Sequence, residues 1–274
     1  MTQPHRLTYT ERVTRFPSPA QDSFQARTVP LSVDGLKALG TGFLLAVIVS
    51  AIPPLRFILH YLNTLIHELG HTVFFWLFGY PAFPAFDFSY GGGLSFHHGR
   101  SAILLFLIAA VYVGAGYGLR SFRRLLGALT ILAVLHLILS LSRFHDALIL
   151  FMGHGTEILF GSLFLYRALS GSGIKVPLER PLYGMCGWFL YIQNFIFAHD
   201  LINSEQFRDY YENAAKGGGH WMDFSQLAEI YLRVDLSVVA QLFFFYSVLT
   251  LGFTWAFYRY RAWIKQFGLW LIES

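Results

Sequence analysis

Cysteine is almost missing from this chain: Cys186 is the single one in 274 residues. One thiol excludes an internal disulfide and any metal site built on cysteine pairs. Charge is sparse too. Asp, Glu, Lys and Arg together make 13% of the residues, about half the share of an ordinary soluble domain. No basic run is interleaved with aromatics on a polar stretch, so the net charge of +4 reflects Arg and Lys at helix ends and not a nucleic-acid partner. No short apolar core with a small-residue cleavage site follows Met1, so a cleavable signal peptide is not expected. The first apolar segment then serves as the insertion signal.

What the chain does have is apolar length. Hydrophobic residues make 55% of it, 28 of them Phe. Apolar runs recur near 36–52, 55–79, 101–118, 125–141, 145–169, 182–198 and 236–257, and a helix crossing a bilayer needs about 20 such residues. The expected fold is an all-α polytopic membrane protein with about 6–7 transmembrane helices. Residues 1–33 read as a flexible polar tail, 34–259 as the membrane domain, and 260–274, with Trp263, Phe267 and Trp270, as an interfacial C-terminal segment. The short, tail-light layout points to a bacterial cytoplasmic membrane.

The polar residues inside these runs carry the chemistry. In Leu65-Ile66-His67-Glu68-Leu69-Gly70-His71 the two histidines are four apart, which on a helix puts both imidazoles on one face. Two neutral imidazoles so placed take two corners of a tetrahedral zinc site and leave room for water. Glu68 adjoins the first and is placed to take a proton from that water. Ionisable groups inside a lipid-spanning segment are costly and are functional candidates by default. His60 and Asn63 share the face of His67, either as partners holding its tautomer or as a polar seam between helices.

A zinc site with two histidines needs a third protein ligand. The run 145–169 offers His145-Asp146 and Gly153-His154-Gly155-Thr156-Glu157. Glu157 and then His154 are the candidates, with Asp146 on the face of Glu157, three turns away. His71 lies about 12 Å from the end of its helix and His154 about 14 Å from the start of its own, at 1.5 Å per residue, so the two motifs fall at similar depth.

Between these helices, 80–99 departs from the helical pattern. Phe86-Asp87-Phe88-Ser89-Tyr90 and Leu94-Ser95-Phe96 alternate around Gly91-Gly92-Gly93, which reads as a β-hairpin or as a re-entrant loop. A strand edge beside a metal site would hold an extended peptide. The polar connection 199–234 carries Gly217-Gly218-Gly219-His220-Trp221-Met222-Asp223. His220 and Asp223 either belong to a plain interfacial loop or reach the site as substrate contacts or a metal ligand. Strict alternation of seven spans puts the basic turns at 120–124, 167–180 and 259–265 on one side and the arginines of the N-terminal tail on the other. The positive-inside rule disfavours that, which leaves orientation open, together with whether both of the first two segments cross fully.

His67-Glu68-Leu69-Gly70-His71, followed by Thr72-Val73-Phe74-Phe75 and a hairpin, resembles the site-2-protease family of intramembrane zinc metallopeptidases over about residues 55–170. The resemblance implies one zinc ion per chain, His67 and His71 as ligands, Glu68 as catalytic base and a membrane-protein substrate cut in or near a membrane segment. The family's third ligand is typically an Asp in an Asn-Pro…Leu-Asp-Gly pattern, which this chain lacks. Competing readings are a membrane metal-binding or transport protein, a chaperone-like relative that keeps the fold without turnover, and a hydrolase of a non-peptide bond.

Overall fold

The computed structural model describes residues 28–87, 92–215 and 221–272. The chain order is α1 (Val33–Ala51), α2 (Pro53–Leu77), β1 (Ala82–Asp87), β2 (Gly92–His97), α3 (Ala102–Gly118), α4 (Arg123–Leu141), α5 (Phe144–Ser170), α6 (Glu179–Asn203), α7 (Glu205–Asp209), α8 (Asp223–Gln226), α9 (Leu236–Arg259) and α10 (Arg261–Ile272). The short helices α7 and α8 run on into π-helical stretches, Tyr210–Ala214 and Leu227–Leu232.

Helix ends follow local chemistry. The Ser32 and Asp235 side chains accept backbone N–H groups at the starts of α1 and α9. Asp235 lies outside the apolar segments, and the bonds from Ser237 hold its carboxyl below the usual range. Pro53 and Pro54 open α2, where a missing N–H costs nothing. Gly171, at φ +68, ends α5, and the Arg180 guanidinium donates to the Ala168 and Leu169 carbonyls just before it.

Helices α1, α4, α5 and α9 are long and apolar enough to cross a membrane. Helices α2 and α6, 25 residues each, have the length but carry more polar side chains, of which Glu68, His71, Thr72 and Asn194 are buried inside the bundle. α5 is central and packs against α1, α2, α6 and α9. Glycines set the close crossings: a Cβ on Gly70 would strike the Met152 carbonyl of α5, and one on Gly42 would stand 2.6 Å from Gly184 Cα of α6. Aromatic and aliphatic side chains of α5, α6, α8 and α9, among them Ile158, Tyr191, Phe224 and Phe243, form the core. α3 and α4 pair at the periphery with Ile103, Phe106, Val111, Ile131 and Leu135 turned outward and exposed.

The first two helices follow one another along the bundle. Val29 N–H donates to Arg259 O at 2.8 Å and Tyr258 Oη to Pro30 O at 3.1 Å, so α1 starts beside the end of α9. Strict alternation of seven spans would have separated these ends. The last turn of α1 meets α6 at Ser50 and Gln193, ten residues or about 15 Å short of the far end of α6. α2 begins there and ends beside the hairpin, so the two helices advance along the bundle jointly.

β1 and β2 pair antiparallel, from Ala82 opposite His97 to Asp87 opposite Gly92. The strands are not placed as the glycine pattern indicates. β1 begins at Ala82, and Gly92 and Gly93 lie inside β2, while 88–91 fall outside the described residues. Pro84 masks the first strand in the sequence, because proline has no N–H for a ladder. It is tolerated here because His98 N–H bonds Pro81 O, and the alternation from that pair leaves Pro84 and Ser95 at a non-hydrogen-bonded position.

Candidate metal centre

Glycine brings the site helices together. α2 lies on α5 where Gly70 faces Met152 and Thr156 and where Gly153 faces both motif histidines. In that crossing each imidazole is held by its Nδ1. His71 Nδ1 lies 2.9 Å from Ile149 O, a carbonyl that only accepts, so this nitrogen carries the proton. His67 Nδ1 lies 2.7 Å from Glu157 Oε1 and donates to that carboxylate. Glu157 Oε2 in turn accepts from Asn194 Nδ2 of α6 at 2.6 Å. Both Nε2 atoms are left as lone-pair donors, and they stand 3.0 Å apart.

A carboxylate completes the group. Asp223, the first residue of α8, places Oδ2 3.1 Å from His67 Nε2 and 3.0 Å from His71 Nε2. α8 is anchored by the fully buried Phe224, whose ring meets those of His154, Phe197 and Phe243.

Three electron-pair donors so close repel one another unless a cation lies among them. Zinc bound at about 2.0–2.1 Å in a tetrahedron sets its ligand atoms about 3.3 Å apart, and the triangle here has sides of 3.0–3.1 Å. The wall behind the histidines is Gly153, where a Cβ would strike His71 Nε2 and stand 2.7 Å from His67 Nε2. The residues present fit a zinc ion.

The remaining sequence candidates divide. Glu157 and His154, expected as third ligand, lie on the Nδ1 side of His67. With His67 they form a second trio of donor atoms within 4.8 Å, but the one imidazole nitrogen facing them is already hydrogen-bonded to Glu157. His154 Nδ1 is 3.4 Å from Glu157 Oε1, and its ring stacks on Phe197 at 4.6 Å. Asn63 lines the cavity with its Oδ1 buried and unpartnered among the described residues. It does not hold His67, whose Nδ1 is taken. Asp146 stays out of the site. It pairs with His145 at 3.1 Å, because sharing a helix face with Glu157 leaves it eleven residues away, about 16 Å along the axis. His220 falls outside the described residues. His136, half-buried on the peripheral helix α4, is bonded rather than in the core, with Nε2 2.8 Å from Leu77 O and Nδ1 3.1 Å from Tyr112 Oη.

Glu68 is buried on the wall of the same cavity of about 410 Å³. Ser95 Oγ of β2 donates to its Oε2 at 2.7 Å, and Gly93 lies so close that a Cβ there would be 2.5 Å from Oε1. Tyr211, which follows α7, lines the cavity too; burial, reinforced by the Asp223 charge, pushes its phenol well above the ordinary range. Neither Ser95 nor Tyr211 has a signal in the sequence. Asn194 has one, as half of the amide pair Gln193-Asn194 within an apolar run. Compared with protein-family models, with curated proteins and with solved structures, the chain matches none of them.

Proposed function

We propose that this protein is a multi-pass membrane zinc endopeptidase that cuts a peptide bond in or beside a membrane segment of another protein. One observation carries the reading: His67, His71 and Asp223 turn three lone pairs on one point, and Glu68 of the same helical turn opens on the same cavity. His67, His71 and Asp223 would hold the ion, taking the place of the family's missing Leu-Asp-Gly aspartate. Zinc, when bound, supplies Lewis acidity towards a carbonyl and makes water acidic near neutral pH.

The chain's own residues do the rest. Glu68 takes a proton from water and passes it to the leaving amine. Ser95 fixes the Glu68 carboxylate, and Glu157 and Ile149 fix the imidazoles. The register leaves the backbone groups of Ser95 and His97 pointing away from β1, an edge on which an extended peptide pairs. A helix hides its peptide bonds, so a membrane-spanning substrate unwinds to reach this edge. With α1 and α2 advancing jointly, the bundle makes six crossings. The start of α1 then lies with the basic turns on the cytoplasmic side of a bacterial inner membrane.

The test is metal content of detergent-purified protein, followed by cleavage of a panel of single-span membrane peptides. About one zinc per chain is expected. It is lost in His67→Ala, His71→Ala and Asp223→Ala and kept in Glu68→Gln, which alone among the zinc-loaded variants fails to cleave. Loss of zinc in Glu157→Ala or His154→Ala with retention in Asp223→Ala would assign the third ligand to the other trio. Absence of zinc from the wild type would overturn the reading, and cleavage by Glu68→Gln would remove Glu68 as base.

A further inference from the structure

The largest polar cavity of those described lies at the opposite end of the bundle from Asp223. It has a volume of about 610 Å³ and sits between the first turns of α1, the α5–α6 connection and the start of α6. Its origin is geometric. α1 and α6 touch backbone to backbone at Gly42 and Gly184, and nearer the end of the bundle they diverge around Gly171–Pro181. The volume falls in the range of small-molecule pockets.

Its lining combines cationic and apolar side chains. Lys37, Lys175 and Arg180 face it against one carboxylate, Asp34. Arg180 is immobilised by the Ala168 and Leu169 carbonyls, so its charge is fixed there. Glu179, the other acid nearby, accepts the Lys175 backbone N–H through its Oε2. Ala38, Ile174, Val176 and Pro181 supply the apolar part. The chain's other basic ends, Arg259 and Arg261, lie at this same end of the bundle, since α1 starts beside Arg259.

One stripe of α1 continues the cavity along the bundle. Lys37, Thr41, Leu44 and Ile48 follow at helical spacings of four, three and four. The first two line the cavity; Leu44 and Ile48 are 63% and 51% exposed. An occupant that matches both parts carries an anionic phosphate ester at one end and a hydrocarbon chain at the other. We propose that this cavity is a binding site for an anionic glycerophospholipid. The phosphate rests among Lys37, Lys175 and Arg180, and an acyl chain lies along Leu44 and Ile48. A soluble phosphate would use the same cations and leave the apolar stripe bare.

The experiment is independent of the peptidase reading. Detergent-purified full-length protein is titrated with dioctanoyl phosphatidylglycerol, dioctanoyl phosphatidylcholine or inorganic phosphate, and adducts are counted by native mass spectrometry. One phosphatidylglycerol per chain is expected, weakened by salt, with phosphatidylcholine and inorganic phosphate far weaker. Lys37→Ala/Lys175→Ala should lose about 30-fold in phosphatidylglycerol affinity. The charge-matched Arg123→Ala/Lys265→Ala should keep the wild-type value, with helix content by circular dichroism unchanged in both. Equal binding of the two lipids, or of the double variant and wild type, overturns the proposal. Inorganic phosphate as tight as phosphatidylglycerol overturns the lipid assignment and leaves a site for a soluble phosphate ester.

Discussion

Gly153→Ala is the sharpest perturbation of the metal centre, because it adds one methyl group and removes no ligand. In an unobstructed helix the change stabilises by about 0.5–1 kcal/mol. Here the new Cβ would stand 2.7 Å from His67 Nε2 and strike His71 Nε2. Ordinary contact begins at 3.4 Å, so the His67 imidazole must retreat by about 0.7 Å and that of His71 by more, beyond the roughly 0.5 Å a preorganised site tolerates. Overpacking of this kind costs about 1–3 kcal/mol, out of a total stability of about 5–15 kcal/mol. The protein therefore folds, with a slightly lower melting temperature, while its zinc affinity falls by at least about 100-fold. Elemental analysis after dialysis against a weak chelator reads the second effect, and a thermal melt followed by circular dichroism reads the first. Gly127→Ala on α4, where no atom lies within 4 Å of the added Cβ, is the control and keeps its zinc. Wild-type zinc retention in Gly153→Ala would refute the placement of the ion against α5.

Other substitutions separate ligands from the groups behind them. Glu157→Gln keeps the shape but weakens the grip on His67 Nδ1. A 10- to 100-fold loss of zinc affinity, roughly, with full stoichiometry at saturation is expected from competition titrations, whereas Asp223→Asn lowers the stoichiometry itself. Asn194→Ala leaves Glu157 Oε2 without its buried donor; chemical denaturation should show a loss of about 1–3 kcal/mol. Gly42→Val forces α1 off the α6 backbone. It should destabilise by about 1–3 kcal/mol or more, while Gly40→Val, with nothing within 4 Å, stays much closer to wild type in the same melt.

The helices were legible because apolar length and charge are one-dimensional signals: the run near 125–141 became Arg123–Leu141 and that near 101–118 became Ala102–Gly118. The histidine pair was legible because i, i+4 spacing fixes a face before any tertiary structure exists. Depth and direction were harder. Asp146 and Glu157 share a face, and only the crossing point of α2 on α5 decides that Glu157 reaches His67 and Asp146 does not. Asp223 was named, but a carboxylate on a long polar connection looks like any solvated acid until Phe224 is seen to pin α8 into the aromatic core. The shared course of α1 and α2 showed only as a conflict in the charge pattern, and Gly93 against Glu68 showed nothing, since a glycine's contacts leave no mark on composition.

The site's donors are far apart along the chain, and this bears on how the protein is made. His67 and His71 lie 156 and 152 residues before Asp223. At about 5–20 residues per second the ribosome takes roughly 8–30 s to cross that interval. For that time the nascent chain carries two neutral imidazoles, a pair whose hold on zinc is weak, and lacks the carboxylate. On the proposed zinc reading, metal loading comes after α6 has been made and α8 has docked. Chains truncated before α8 should remain metal-free however much zinc the cell holds.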